Sequence, residues 1–241
     1  SIKNIRHYSS RNSINLKVSK KIGCLMGERL KKEDCQKILN VSRETMEKFN
    51  KYLNLLKNWQ KKLNLVGSST LDDPWRRHIL DSGQITKYIR NKNDPIIDVG
   101  SGAGLPGIVL SIMGYKNIVM VESDYKKTVF IIEALRVCGT QANVLNERIE
   151  KLECIDGNTL TFRAFAPIEK VFNLIGDKIK KETRLIFLKG ETAMEEVRSS
   201  KKAWEKLKKK NNYSINPNFK TYRSLSAKNS KVVLCTFNNG I

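Results

Sequence analysis

The segment Asp98-Val99-Gly100-Ser101-Gly102-Ala103-Gly104-Leu105-Pro106-Gly107 constrains this 241-residue chain more than any other. It follows a short apolar run, Ile96-Ile97-Asp98-Val99, and opens a helical pattern from Gly107 to about Met113. Its glycines let the chain turn tightly and let a bound molecule come close to the backbone. The helix start adds free N–H groups and a positive dipole end. A second apolar run, Ile118–Val121, ends at Glu122, twenty residues beyond Gly102. A carboxylate at that strand end is placed to accept both hydroxyls of a ribose.

The pattern downstream completes a fold class. A helix is expected over Lys126–Val137, strands over Ala142–Leu145, Thr159–Phe162 and Leu185–Leu188, and a helix over Ala193–Lys210. Two closing strands, Phe219–Arg223 and Lys231–Phe237, have only a polar turn between them. Strands alternating with helices imply parallel βαβ units, whereas the last pair must form an antiparallel hairpin. The expected architecture is α/β and Rossmann-like: a mainly parallel seven-stranded sheet with a C-terminal antiparallel hairpin.

Upstream, Ser42 can cap a helix over 42–63 whose stripe is Met46, Phe49, Leu53, Leu56 and Leu63. A shorter helix is expected from Asp73-Pro74 to about Tyr88. The chain thus divides into a flexible basic arm (1–40), a helical segment (41–93) and the sheet domain (94–241). Residues 1–27 carry Lys3, Arg6, Arg11, Lys17, Lys20 and Lys21 and no acid. That is also the composition of an organellar transit peptide, although no amphipathic stripe accompanies it.

Charge points to a partner. The chain holds 45 Lys+Arg against 24 Asp+Glu, a net charge of +21. Such an excess favours a polyanion, nucleic acid first, with an acidic membrane surface giving the same signal. Arg198–Lys231 alone contains eleven Lys or Arg and one acid, a candidate phosphate-contact stretch. No apolar run approaches the roughly 20 residues of a membrane-spanning helix, and basic residues interrupt any secretory signal. Five cysteines without a CxxC pair, and two histidines, argue against a disulfide framework or a metal site. They suit small buried hydrophobes in a reducing cytoplasm. No heptad seam is visible, so a monomer is expected.

Two cofactors fit the glycine loop. Gly102-x-Gly104-x-x-Gly107, with Glu122, matches the dinucleotide fingerprint, which would make the chain a nicotinamide-dependent oxidoreductase. The denser run after Asp98 and the closing hairpin favour S-adenosylmethionine, which has no phosphates and needs close backbone approach more than an anion nest. A non-catalytic basic RNA-binding module is the third reading.

Several segments together carry a resemblance. Asn64-Leu65-Val66, Arg77-His78-Ile79-Leu80-Asp81-Ser82, the glycine loop through Gly107, Arg148-Ile149-Glu150, Arg163-Ala164-Phe165-Ala166 and Leu188-Lys189-Gly190 occur in order and at plausible spacing. Over roughly residues 45–240 the chain resembles the RsmG (GidB) family, bacterial guanine-N7 methyltransferases of small-subunit ribosomal RNA. It departs at Phe162, where the family usually has Ser, and at Asn158, near which members often carry an acid.

The resemblance implies a class I methyltransferase fold, S-adenosylmethionine as cofactor, and small-subunit (16S) ribosomal RNA or the small ribosomal subunit as partner. It implies cofactor contacts from Asp98, Gly100, Gly102, Gly104, Leu105, Glu122, Ile149, Glu150 and Arg163. Glu122 would take the ribose, and Ile149 and Glu150 would lie beside the adenine. Arg163 would be catalytic, with Arg148 beside it. Arg77, His78 and Lys189 would face RNA, a satisfied structural role being equally open for His78. Because guanine N7 has a free lone pair, no general base is required, and the arginines are expected to position groups rather than stabilise a cationic product.

Overall fold

The computed structural model describes residues 28–211 and 214–239. Its seven strands are β1 (Ile96–Val99), β2 (Ile118–Val121), β3 (Asn143–Leu145), β4 (Thr159–Arg163), β5 (Arg184–Lys189), β6 (Ile215–Arg223) and β7 (Lys231–Asn239). They form one sheet in the order β3-β2-β1-β4-β5-β7-β6. The first five run parallel. β7 lies antiparallel between β5 and β6, so the hairpin enters the sheet by its second strand. All four residues of β1 are buried, as expected for a parallel strand covered on both faces.

Strand alternation divides the core in two. Ile96 faces a layer formed by α1 (Lys32–Leu39), α2 (Arg43–Gln60), α3 (Gly107–Ile112) and α4 (Tyr125–Cys138). Ile97 and Val99 face α5 (Ile168–Ile175) and α6 (Ala193–Asn211). The patterning read above places no helix between β4 and β5. Yet Ile168, Val171, Phe172 and Ile175 recur at one-turn spacing and are all buried, which is the signal α5 gives.

The helical segment is built as expected and joins the sheet domain in one core. The Ser42 hydroxyl accepts the Thr45 N–H at 3.1 Å. Met46, Phe49, Leu53 and Leu56 are buried, Leu63 partly so. Each fully buried side chain of this kind contributes about 1.5–3 kcal/mol. Trp59 packs edge-on against Phe130 of α4 at 5.5 Å. The buried Tyr52 donates its hydroxyl hydrogen to the Ala103 carbonyl at 2.8 Å, fixing α2 against the glycine loop. The expected second helix is present but irregular: π-wound over Trp75–Leu80, α over Asp81–Gly83 and 3-10 over Gln84–Tyr88.

The basic arm expected over 1–40 needs a correction. Residues 1–27 lie outside the described residues. Residues 28–40 are folded: α1 buries Cys35, and Leu30 enters the same core. The Leu30 N–H reaches Asp73 Oδ1 at 3.1 Å, and Arg76 Nη2 reaches the Glu28 carbonyl at 2.7 Å. Lys32 stays at the surface with Glu47, so the lysine-rich composition concealed a short packed stripe. Of the cysteines, Cys35, Cys138 and Cys235 are buried as expected, whereas Cys154 is exposed. Among the described residues no helix is long and apolar enough to cross a membrane, and no cluster of metal-binding side chains occurs.

Candidate active site

The loop after β1 is held from beneath. Asp98 is fully buried; its Oδ2 accepts the Gly107 N–H and its Oδ1 the Thr161 hydroxyl, both at 3.0 Å. Burial pushes this carboxyl up to about 6 despite those hydrogen bonds. The family resemblance implies a cofactor contact from Asp98. The structure instead seals it under the loop, where it fixes the first turn of α3. Leu105 likewise turns into the core, and its N–H is taken by the Ser101 carbonyl at 3.0 Å, so it shapes the loop.

Gly100, Gly102 and Gly104 have φ of +65°, +56° and +75°. A Cβ at Gly100 would lie 2.2 Å from Phe165 Cδ2. At Gly102 it would meet only the loop's own Gly100 carbonyl, at 3.9 Å, so this peptide faces open space. Glu122 lies beside it, its Oε2 accepting the Gly102 N–H at 2.7 Å and its Oε1 the Asp124 N–H at 2.8 Å. Each carboxylate oxygen has a second lone pair, so acceptor capacity remains for a ligand hydroxyl. Next to the loop is a pocket of about 190 Å³ lined by Gly100, Val121, Arg148, Ile149, Glu150 and Phe165, among others.

A larger cleft of about 740 Å³ gathers segments that are far apart in sequence: Asn64–Gly67, Arg77, Asp81, Arg163–Pro167, Leu188–Gly190 and Lys231. Phe165 and Ala166 line both this cleft and the smaller pocket. Gln60 shapes the first wall by accepting the Leu65 and Val66 N–H groups at 2.9 and 3.1 Å. Ala164, at φ +51°, turns the chain away from β4 in a conformation that costs a non-glycine residue about 1–2 kcal/mol.

Arg163 is the centre of the cleft's hydrogen-bond network. Its Nε donates to Asp81 Oδ2 at 3.0 Å, and its Nη2 donates to the Arg77 carbonyl at 2.9 Å and meets His78 Nδ1 at 3.4 Å. A guanidinium can only donate, so Nδ1 of His78 accepts and its proton sits on Nε2. That proton then goes to Thr70 Oγ1 at 3.1 Å, and the threonine donates in turn to the Gly67 carbonyl at 2.6 Å. Burial, then Arg163 and Arg77, push His78 down to about 3, which keeps it neutral. Asp81 is held from the other side by the Ser226 hydroxyl at 2.5 Å and Gln84 Nε2 at 3.1 Å.

Three of the expected site residues are held by contacts of their own. His78 lines the cleft but is fully buried, its ring hydrogen-bonded to Arg163 and Thr70. Lys189 is tied to Glu196 at 2.8 Å and to the Ala166 carbonyl at 2.5 Å, so it braces the 164–167 turn at the cleft wall. Arg148 is not part of the lining of the Arg163 cleft. It lines the smaller pocket, is largely exposed, and makes a loose 3.8 Å pair with Glu150. Arg77 lines the cleft. Asp81, Ser226 and Lys127 are cleft residues that sequence spacing did not single out as site residues.

The parallel sheet with its inserted antiparallel strand, and the glycine loop facing an acid at the end of β2, define a Rossmann-like methyltransferase fold. Solved structures agree on the fold. A mutant of MtNAS in complex with S-adenosylmethionine is 15% identical with a TM-score of 0.54, covering 99% of this chain and 98% of that one. TYW2 of M. jannaschii in complex with AdoMet is 13% identical with a TM-score of 0.52, covering 75% and 80%.

Sequence relatives narrow this to one family. GidB, described as rRNA small subunit methyltransferase G, matches residues 45–224. The Rickettsia rickettsii (strain Iowa) protein named Ribosomal RNA small subunit methyltransferase G is 41% identical over 167 residues, 69% of this chain and 86% of that one. The Rhodospirillum rubrum protein of the same name is 40% identical over 164 residues, 68% and 82%. The chain belongs to the GidB family.

Proposed function

We propose that this protein transfers a methyl group from S-adenosylmethionine to N7 of a guanosine in small-subunit ribosomal RNA. One juxtaposition supports this most: Phe165 lies between the loop pocket and the Arg163 cleft and lines both. A donor on the loop and a base in the cleft would therefore meet at this side chain. The open Gly102 peptide and the Glu122 carboxylate fit the adenosine end of the donor, and Ile149 and Glu150 line the pocket where its base would lie. The bound donor supplies an electrophilic methyl group on a positively charged sulfur.

The chain's own residues then align and neutralise. Guanine N7 needs no deprotonation, which agrees with a His78 in the cleft lining that is held neutral, with both ring nitrogens hydrogen-bonded, to Arg163 and Thr70. Arg163 keeps its Nη1 without a described partner, leaving donors for guanine O6 or a phosphate. Its charge is balanced by Asp81. That balance matters because methylation moves a positive charge from the sulfur to the base, and an unpaired arginine would oppose its arrival. A nicotinamide reading is disfavoured, since the antiparallel β7 and β6 occupy the side where a second nucleotide-binding half would extend the sheet.

The test is methyl transfer from labelled S-adenosylmethionine to unmodified small-subunit ribosomal RNA, free and in assembled subunits, followed by nucleoside mass analysis. Label in N7-methylguanosine is expected. Label in another nucleoside would overturn the N7 assignment, and no transfer to either substrate from folded protein would overturn the activity.

A further inference from the structure

The cations lining the cleft fall into two groups. Arg163 and Lys189 are each paired with a carboxylate of the same lining, Asp81 and Glu196. Arg77, Lys127 and Lys231 also line the cleft, and their side chains make no hydrogen bond or ion pair with a described residue. They come from three separate elements: the π-wound turn, the first turn of α4 and the start of β7. All three are partly exposed.

We propose that Arg77, Lys127 and Lys231 form a phosphate-binding rim that grips single-stranded RNA next to the target nucleotide. This rests on the RNA methyltransferase reading and deepens it by naming the groups that hold the strand. Three like charges around one cleft, none with a described partner, repel each other until an anion arrives, so the cleft is set to gain from a polyanion. The guanidinium fork of Arg77 can bind a phosphate bidentately, whereas the two ammonium groups act as adaptable point charges. A space of about 740 Å³ is in the range of small-ligand sites. It takes one extruded nucleotide, and an unpaired strand gives up a base at the least cost, which favours a single strand at its mouth. A cofactor carboxylate would need one cation near the loop; three from separate elements exceed that.

The rim differs from the lysine-rich α6 as a candidate. α6 carries Lys201, Lys202 and Lys209 on exposed positions, which is what a solvated helix face also requires. The two locations give different experimental outcomes.

Arg77→Gln, Lys127→Gln and Lys231→Gln would be made singly and together in the full chain, with Lys201→Gln/Lys202→Gln/Lys209→Gln as the comparison. Affinity for small-subunit ribosomal RNA would be measured across a salt series, alongside S-adenosylmethionine affinity by calorimetry. Circular dichroism reports folding, and the single Lys127→Gln change at a partly exposed helix position keeps the test available if the triple variant fails to fold. Each rim change should reduce the slope of log affinity against log salt by about 0.7–1 and leave cofactor affinity unchanged. An unchanged slope would overturn the proposal, as would loss carried by the α6 variant alone, or a loss confined to cofactor affinity. Wild-type protein that binds RNA through the rim but transfers no methyl group would sink the activity and leave the rim standing. An active enzyme with rim variants of unchanged slope would do the reverse.

Discussion

Arg163 Nε lies 3.0 Å from Asp81 Oδ2, across 82 residues of sequence, and each side chain is less than one-fifth exposed. The pair joins the end of β4 to the irregular helix and gives the cleft a cation whose charge is already balanced. Asp81→Asn should keep the shape but remove the balancing charge. It is expected to lower kcat for methyl transfer at least tenfold and destabilise the fold by about 1–3 kcal/mol. Steady-state kinetics and urea unfolding check this; wild-type kcat in a destabilised variant would make Asp81 purely structural.

Arg163→Lys tests geometry separately from charge. A lysine cannot hold Asp81, the Arg77 carbonyl and His78 at once and still present a planar fork. Transfer should fall about 100-fold, the scale expected for misplacing a reacting group by about 1 Å, with unfolding still cooperative. Near-normal turnover would show that a positive charge alone suffices.

Glu122→Gln removes one carboxylate oxygen and the charge facing the Gly102 peptide. Affinity for S-adenosylmethionine and S-adenosylhomocysteine should weaken about tenfold to a hundredfold, the effect of losing one charge-assisted hydrogen bond. RNA affinity should not change. Equal loss for RNA would point to collapse of the loop instead of a lost ligand contact.

His78 gives a pH test whose sign is fixed. The folded state holds it near 3, whereas an unfolded histidine titrates near 6.5. Below 6.5 the unfolded chain binds the extra proton, so the stability this residue contributes is complete above that pH and is lost on acidification. Asp98, raised to about 6, acts oppositely over its own window but is common to both proteins compared. The stability gap between wild type and His78→Asn should therefore shrink by about 2 kcal/mol from pH 7 to 5. A gap independent of pH would mean that the folded histidine titrates normally.

Gly100→Ala should destabilise the loop, because its φ of +65° is unfavourable and a Cβ would strike Phe165 at 2.2 Å. Adding Phe165→Ala relieves the clash but not the backbone strain, so thermal stability should recover only in part. Full recovery would remove the backbone contribution.

Much of this molecule is written locally. The capped stripe of α2, the strands β1 and β2 and the glycine loop are visible because short-range periodicity and turn chemistry dictate them. The site motifs were also legible as segments: Arg77, Asp81, Arg163 and Lys189 do converge on one cleft. Two elements escaped for a common reason. α1 and α5 are each eight residues long, too short to stand out against basic or mixed surroundings, and tertiary packing supplies their stability.

By itself, then, the sequence determined the order of the strands and longer helices, the glycine loop after β1, and an excess of positive charge. Only the tertiary structure decided which charges are available. Lys189 and Arg163 look like Arg77 and Lys231 in a linear chain, but Glu196 and Asp81 reach the first two from distant elements, and nothing described reaches the others. His78 and Asp98 became buried supports, and Arg148 fell into the neighbouring pocket. Partnership and burial are properties of contacts between segments far apart in the chain, and local patterning carries no record of them.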